Sequence, residues 1–363
     1  MSTSQPGSSS RPRLSDSLLG RSSIADRFAC SGPNPPIGGC GQMRTLELGC
    51  FFDGTGNNRW NLDSETSETN VVRLHDCYVV GPRANPPAER HRLYLIGVGA
   101  GRGQAGQPTV GTGPRLDGAT GFGGKYRVNM MYNWVKTKIE EHCRTFDPRS
   151  PKLIDVFGFS RGSLSARTFV NLVNQALKTE PGPAFQNIQV RFLGVFDTVE
   201  SIAWGYVSSE APNCYLTNAD YLAARHFTAR HEIRYRFPLT VLDPGGQQQE
   251  YPGVHSDVGG GYQDTFQGKH NWLSYVTLVD MRRACGSRAV GIQMRYPTIP
   301  AGCDVSSQSV LRTGSDAELR RLYVHTSHTG PWTVMVAAEG NVRERIRRSR
   351  LRLSARPPGY SWR

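Results

Sequence analysis

Gly158-Phe159-Ser160-Arg161-Gly162 joins two segments of different periodicity. Upstream, Leu153 to Phe157 is a short apolar run that reads as a buried strand. Downstream, Leu164, Phe169, Val170, Val173 and Leu177 recur on one side of a helix over 162–178. A strand that turns at once into a helix leaves no room for Cβ atoms at its flanks, which is what the two glycines provide. The residue between them stands above the end of the sheet, next to a helix N-terminus that favours developing negative charge. With 40 Gly in the chain, G-x-S-x-G arises easily by chance. Its position between a strand and a helix is what makes Ser160 a candidate nucleophile.

The remaining pattern extends the same architecture. Thr45 to Phe52 reads as a buried strand followed by a sharp turn, Asp53-Gly54-Thr55-Gly56-Asn57-Asn58. His91 to Val98 reads as a second strand, running into a Gly-rich loop over 99–124. A helix is expected over 125–143, where Val128, Met131, Trp134, Val135, Ile139 and Cys143 share a face. Val190 to Phe196 is a strand with Arg191 as its only charge. A helix near 217–230, a strand at 232–242 and a last helix at 272–284 complete the expected elements. Strands alternating with helices predict an α/β-hydrolase-like domain over 42–340, with a mostly parallel sheet and helices on both faces. Residues 1–41, rich in Ser, Gly, Pro and Arg, are expected to form a flexible tail.

In such sheets function gathers at the carboxyl ends of the strands. Asp197 directly follows the strand 190–196, where a carboxylate can orient an imidazole and stabilise its cation. Glu200 and Asp257 are the competing acids; Glu200 lies further from the strand end, and Asp257 suits the bracing of its own loop. His255, in Tyr251-Pro252-Gly253-Val254-His255-Ser256-Asp257-Val258-Gly259-Gly260-Gly261-Tyr262, is the candidate general base, because small residues around it let a loop bring the ring to Ser160. His75, His91, His142, His226, His231, His270, His325 and His328 are weaker choices: the first three precede Ser160 and break the order Ser, acid, His, and His226 and His231 fall on or near an expected helix. Two backbone N–H groups are needed for an oxyanion. One is expected at Arg161, the other at Gly54 or Thr55 in the early turn, with Asp53 bracing that turn.

Several other chemistries are excluded. Phe52-Asp53-Gly54-Thr55 resembles the aspartyl-phosphate phosphatases, but Phe51 stands where their nucleophilic Asp would be. Gly101-x-Gly103-x-x-Gly106 matches a dinucleotide fingerprint in letters, yet Pro108 and more glycines follow where a helix must start. Gly124-Lys125 lacks the rest of a P-loop. None of the eight Cys forms a C-x-x-C pair, which argues against a zinc site and for reduced thiols. A serine mechanism needs no metal or organic cofactor.

The formal charge of +13 favours anionic partners, but zinc-finger spacing, RNP-like motifs and basic-zipper patterns are missing, so no nucleic-acid role is expected. The first 40 residues show no apolar signal-peptide core, and the expectation is synthesis in the cytoplasm with any export by another machine. Residues 341–363 form a basic segment with eight Arg. Asn341 and Glu344 have capping-box spacing, and Val342, Ile346 and Leu353 fall on one helical face. Such a segment can lie on an anionic bilayer; the plainer alternative is a solvated tail.

Four segments in order, FFDGTGNN at 51–58, GFSRGSLSAR at 158–167, FLGVFDTV at 192–199 and PGVHSDVGGGY at 252–262, resemble the α/β-hydrolase family that contains the bacterial type VI secretion phospholipase effectors of the first lipase-effector class. ARHEIRYRFPL at 229–239 is a weaker fifth match. The resemblance implies Ser160 as nucleophile, Asp197 as triad acid and His255 as general base. It further implies ester hydrolysis of the phospholipase A kind at a membrane phospholipid surface, delivery by a contractile secretion system, and an immunity protein and a secretion-system adaptor as partners. A soluble esterase or thioesterase with the same triad, or a catalytically silent interaction module, are the alternative readings.

Overall fold

The computed structural model describes residues 42–60, 62, 66–100, 123–200, 214, 216–217, 219–234, 237–242, 246–305 and 316–327. The expected N-terminal tail, most of the Gly-rich loop and the basic segment 341–363 lie outside the described residues.

Six parallel strands form the main sheet. In chain order they are β1 (Thr45–Phe52), β3 (Ala88–Leu95), β4 (Lys152–Phe159), β5 (Ile188–Phe196), β6 (Ala223–Ala229) and β7 (Gln247–Tyr251). Their spatial order is β3-β1-β4-β5-β6-β7, every neighbouring pair being parallel. The switch in order falls between β1 and β4, so the carboxyl ends of these central strands open a crevice where their following turns meet. A two-stranded antiparallel pair, β2 (Thr66–Thr69) with β8 (Gly260–Tyr262), lies outside this sheet.

Helices cover both faces, and two adjacent phenylalanines show how. Phe52 of β1 meets Phe169 of α3 (Arg161–Gln175), with ring centres 5.7 Å apart. Its neighbour Phe51 points to the opposite face, 5.3 Å from His75 of α1 (Asn70–Cys77), and stacks on Phe157 at 4.8 Å. Successive side chains of a strand alternate between faces, so both layers are buried by one strand. α2 (Gly123–Thr145) packs beside α3, and α5 (Trp272–Cys285) lies with α1. α4 (His255–Gly259) and α6 (Asp316–Leu322) are short.

Two expected elements are not formed. The described residues of 217–230 are not helical: β6 occupies Ala223–Ala229 and pairs on both sides, with β5 and β7. Its alanines have strong helix propensity, but two ladders of backbone hydrogen bonds and burial between β5 and β7 outweigh a preference worth tenths of a kcal/mol per residue. Nor is the segment 232–242 a strand. Its described residues form a loop with one isolated bridge, Val199 to Leu239, because Glu232 and Arg234 turn inward and bind each other. The edge strand β7, QQQEY, was invisible as a strand because four of its five residues are exposed and polar.

The single charge of β5 has a structural cause. The register between β4 and β5 slips at Arg191, whose guanidinium lies buried between Asp155 of β4 and Glu47 of β1. Its Nε donates to Asp155 Oδ1 at 2.8 Å and its Nη2 to Glu47 Oε2 at 2.9 Å. Tyr78 donates to Asp155 and Arg83 to Glu47. Removing one partner strands the others as buried charges. Arg191→Leu is therefore expected to destabilise the fold by about 3–5 kcal/mol, read as a lowered denaturant midpoint; Arg83→Leu, at a more exposed end of the cluster, should cost less.

Candidate active site

Ser160 takes φ 58 and ψ −127 at the junction of β4 and α3. This region costs a non-glycine residue about 1–3 kcal/mol and persists only where its surroundings impose it. Here the imposition is visible. The Ser160 N–H donates to Phe196 O of β5, and its carbonyl accepts from Ser163 and Val199 N–H. A Cβ at Gly162 would sit 2.3 Å from the carbonyl oxygens of both Phe52 and Asp53, and one at Gly158 2.7 Å from the backbone of Ser163. The two glycines thus let the end of β1 press against the first turn of α3.

The early turn and the His255 motif meet at the same place. The ring of Phe159, the residue before Ser160, is held between Gly54 and Gly259, where added Cβ atoms would come within 2.6 Å and 2.0 Å of it. The same ring lies 4.6 Å from the His255 imidazole, which Phe237 covers from another side at 5.0 Å. Arg161 Nε reaches Thr55 Oγ1 at 2.5 Å, a second tie between the elbow and the early turn.

Asp197 leaves the end of β5 with φ 39 and is fully buried. Its Oδ1 accepts the Ala229 N–H at 2.9 Å, and its Oδ2 lies 2.6 Å from His255 Nδ1. A carboxylate at that distance selects the tautomer protonated on Nδ1 and leaves Nε2 as the basic nitrogen. Burial lowers the pKa of His255 below the ordinary histidine value, against an opposing pull from Asp197. The competing acids are engaged elsewhere. Asp257 accepts the Val254 N–H and meets His325 Nδ1 at 2.5 Å, and Glu200 accepts from the Thr240 hydroxyl at 3.2 Å. His226 lies on β6 rather than on a helix, where its Nε2 accepts the Thr198 N–H and steadies the turn that carries Asp197.

Asp53 braces the early turn as expected: its Oδ1 accepts from Gly54 N–H at 2.8 Å and from the Thr69 hydroxyl at 2.7 Å, and its Oδ2 accepts from Tyr94. That bond engages the Gly54 amide. Among the described residues no group of three or more His, Cys, Asp or Glu is placed to hold a metal ion, and the described cysteines 50, 77, 143, 214, 285 and 303 are free thiols.

The model of the family described as type VI secretion system phospholipase effector Tle1-like, catalytic domain, matches residues 47–182 and 174–284, about two thirds of the chain. This chain belongs to that family. Among solved structures, the Tle1 effector bound to the VgrG spike of the type 6 secretion system is 18% identical and superposes with a TM-score of 0.58 over 78% of this chain and 84% of that one. At that identity the likeness is one of fold. An uncharacterized protein from Pseudomonas aeruginosa, also 18% identical, matches over 86% of this chain and 54% of its own, with a TM-score of 0.49. No curated protein sequence matches. The parallel sheet with helices on both faces is the α/β-hydrolase-like arrangement expected from the sequence.

Several residues that shape this Tle1-like site had no signature in the sequence. Glu232 receives the His255 N–H at 3.2 Å, and Tyr94 and Thr69 complete the Asp53 brace. Glu232 lies within ARHEIRYRFPL, the fifth segment of the family resemblance, where a strand was expected over 232–242.

Burial raises the Asp53 carboxyl to about 6, with Tyr94, Thr69 and Gly54 pulling the other way. Between its usual value near 4 and about 6, the folded protein holds a proton that the unfolded chain has lost. Its contribution to stability therefore falls as pH rises through that window and levels off above it. In Asp53→Asn this dependence should disappear. Urea melts should show the variant gaining on the wild type from about pH 4 to about pH 6, with a constant difference at higher pH.

Proposed function

We propose that this Tle1-like chain is a serine carboxylic ester hydrolase of the phospholipase A kind, with Ser160, Asp197 and His255 as its catalytic triad. The observation that carries the reading is the 2.6 Å contact of Asp197 Oδ2 with His255 Nδ1, beside a serine held at φ 58 between strand and helix. Ser160 Oγ attacks the acyl carbonyl while His255 Nε2 takes its proton. Asp197 holds the imidazolium that forms. The oxyanion is received by the Arg161 N–H and by the early turn. Within that turn the Gly54 amide already donates to Asp53, which favours Thr55 as the second donor. The proton on His255 passes to the leaving alcohol, and water, deprotonated in turn by His255, clears the acyl-enzyme.

Family membership and the basic charge of +13 support a membrane phospholipid surface as the substrate. Among the described residues no helix is long and apolar enough to cross a membrane, so contact with lipid is read as surface engagement. By analogy with the effector bound to a VgrG spike, a spike adaptor is the proposed carrier to a target cell, with an immunity protein as the guard against self-damage.

Purified protein should release fatty acid from mixed phosphatidylethanolamine and phosphatidylglycerol vesicles, and Ser160→Ala should abolish release. Asp197→Asn should lower turnover by about 10³–10⁴-fold. Activity on short p-nitrophenyl esters with no attack on vesicles would replace the phospholipase with a soluble esterase. Full activity in Ser160→Ala would overturn the triad. Because burial disfavours the His255 cation, kcat/KM should rise along one ionisation centred below about 6.5 and stay level to neutral pH; a midpoint above that value would contradict His255 as the base.

A further inference from the structure

Three consecutive amides at the His255 motif each donate to a side chain rather than to backbone. Gly253 N–H goes to His231 Nδ1 at 3.1 Å, Val254 N–H to Asp257 Oδ2 at 2.9 Å, and His255 N–H to Glu232 Oε2 at 3.2 Å. The angle at which His255 enters its short helix is therefore set by these acceptors, since a helix of five residues has little rigidity of its own.

Two of the three acceptors are held by one distant segment. His325 grips Asp257 twice, its N–H reaching Oδ2 at 3.1 Å and its Nδ1 lying 2.5 Å from Oδ1. Ser327 donates to Glu232 Oε1 at 3.1 Å, on the carboxylate that also binds Arg234. Val324 packs with Val254 and Leu273 in a small apolar cluster just before His255. Thr326 exchanges hydrogen bonds with Gln267, and the Leu322 carbonyl receives the His270 N–H. Leu322, Val324, His325, Thr326 and Ser327 all lie beyond 284, where the match to the family model ends.

We infer that the segment 324–327 is a strap that positions the catalytic histidine, with His325 and Ser327 as positioning residues acting through Asp257 and Glu232. The inference rests on His255 being the base of the proposed triad. His325 and Asp257 form a second buried histidine–carboxylate pair behind the first. The first orients the ring of His255 and the second fixes the backbone that carries it. Neither His325 nor Ser327 touches the reacting atoms. Their effect is on geometry, and a displacement of about 1 Å in a catalytic group is enough to cost about 10²-fold.

The test uses the full chain and a soluble p-nitrophenyl ester, which keeps membrane binding out of the readout. Active sites are titrated with a fluorophosphonate, so that loss of folded protein is separated from loss of turnover per site. His325→Ala should lower kcat per titrated site by about 10–100-fold with KM within about two-fold. His325→Asn, whose amide can replace the Nδ1–H donor, should recover most of that loss. Ser327→Ala, which removes one hydrogen bond, should lower kcat several-fold and serves as the readout if His325→Ala does not fold. Wild-type kcat per site in both alanine variants would overturn the strap, as would a loss in His325→Ala that His325→Asn does not recover. Ser160→Ala run alongside keeps the two claims apart: turnover in that variant defeats the triad itself, whereas an inactive Ser160→Ala with unaffected strap variants defeats the strap alone.

Discussion

The close approach of α3 to the end of β1 is the constraint on which the site depends. It exists because residue 162 has no side chain, and the carbonyls of Phe52 and Asp53 occupy the space a Cβ would take. From that contact follow the strained backbone of Ser160, the placement of the early turn beside it, and the clamp of Gly54 and Gly259 on Phe159. Strain of this kind is retained where the surrounding packing over-determines it. Here three strands and two glycine contacts do so, with the Ser160 amide and carbonyl both hydrogen-bonded.

The electrostatics of the site follow from its depth. Ser160 and His255 are each 4% exposed and Asp197 is fully buried, and burial is the largest influence on the protonation of His255. For His255 burial favours the neutral form that a general base needs. For Asp53 it raises the carboxyl to about 6, so at neutral pH the early turn is braced by a carboxylate that accepts from Gly54, Thr69 and Tyr94. The same low dielectric makes the Arg191 cluster, on the other side of β5 in sequence from Asp197, costly to disturb.

Much of this was legible in the amino-acid order. β1, β4 and β5 are mostly apolar on both faces, as expected for strands covered on two sides, with Glu47, Lys152, Asp155 and Arg191 as their charges, and the two long helices carry their apolar residues at helical spacing. Asp197 was legible because it stands at a strand end, and His255 because small residues surround it. The losses have physical causes. β6 is rich in helix-forming alanine and became a strand through pairing alone, and β7 is polar because it lies at the sheet edge. Glu232 and His325 make their contacts at sequence separations of 23 and 68, and no local pattern encodes such contacts.

The central claim is that Ser160 becomes the covalent nucleophile through His255. Mass spectrometry of protein treated with a fluorophosphonate tests it most directly. The account predicts one adduct, on the peptide carrying Ser160, and its near-complete suppression in His255→Ala under the same exposure. An adduct on another residue, or undiminished labelling of Ser160 without His255, would contradict it.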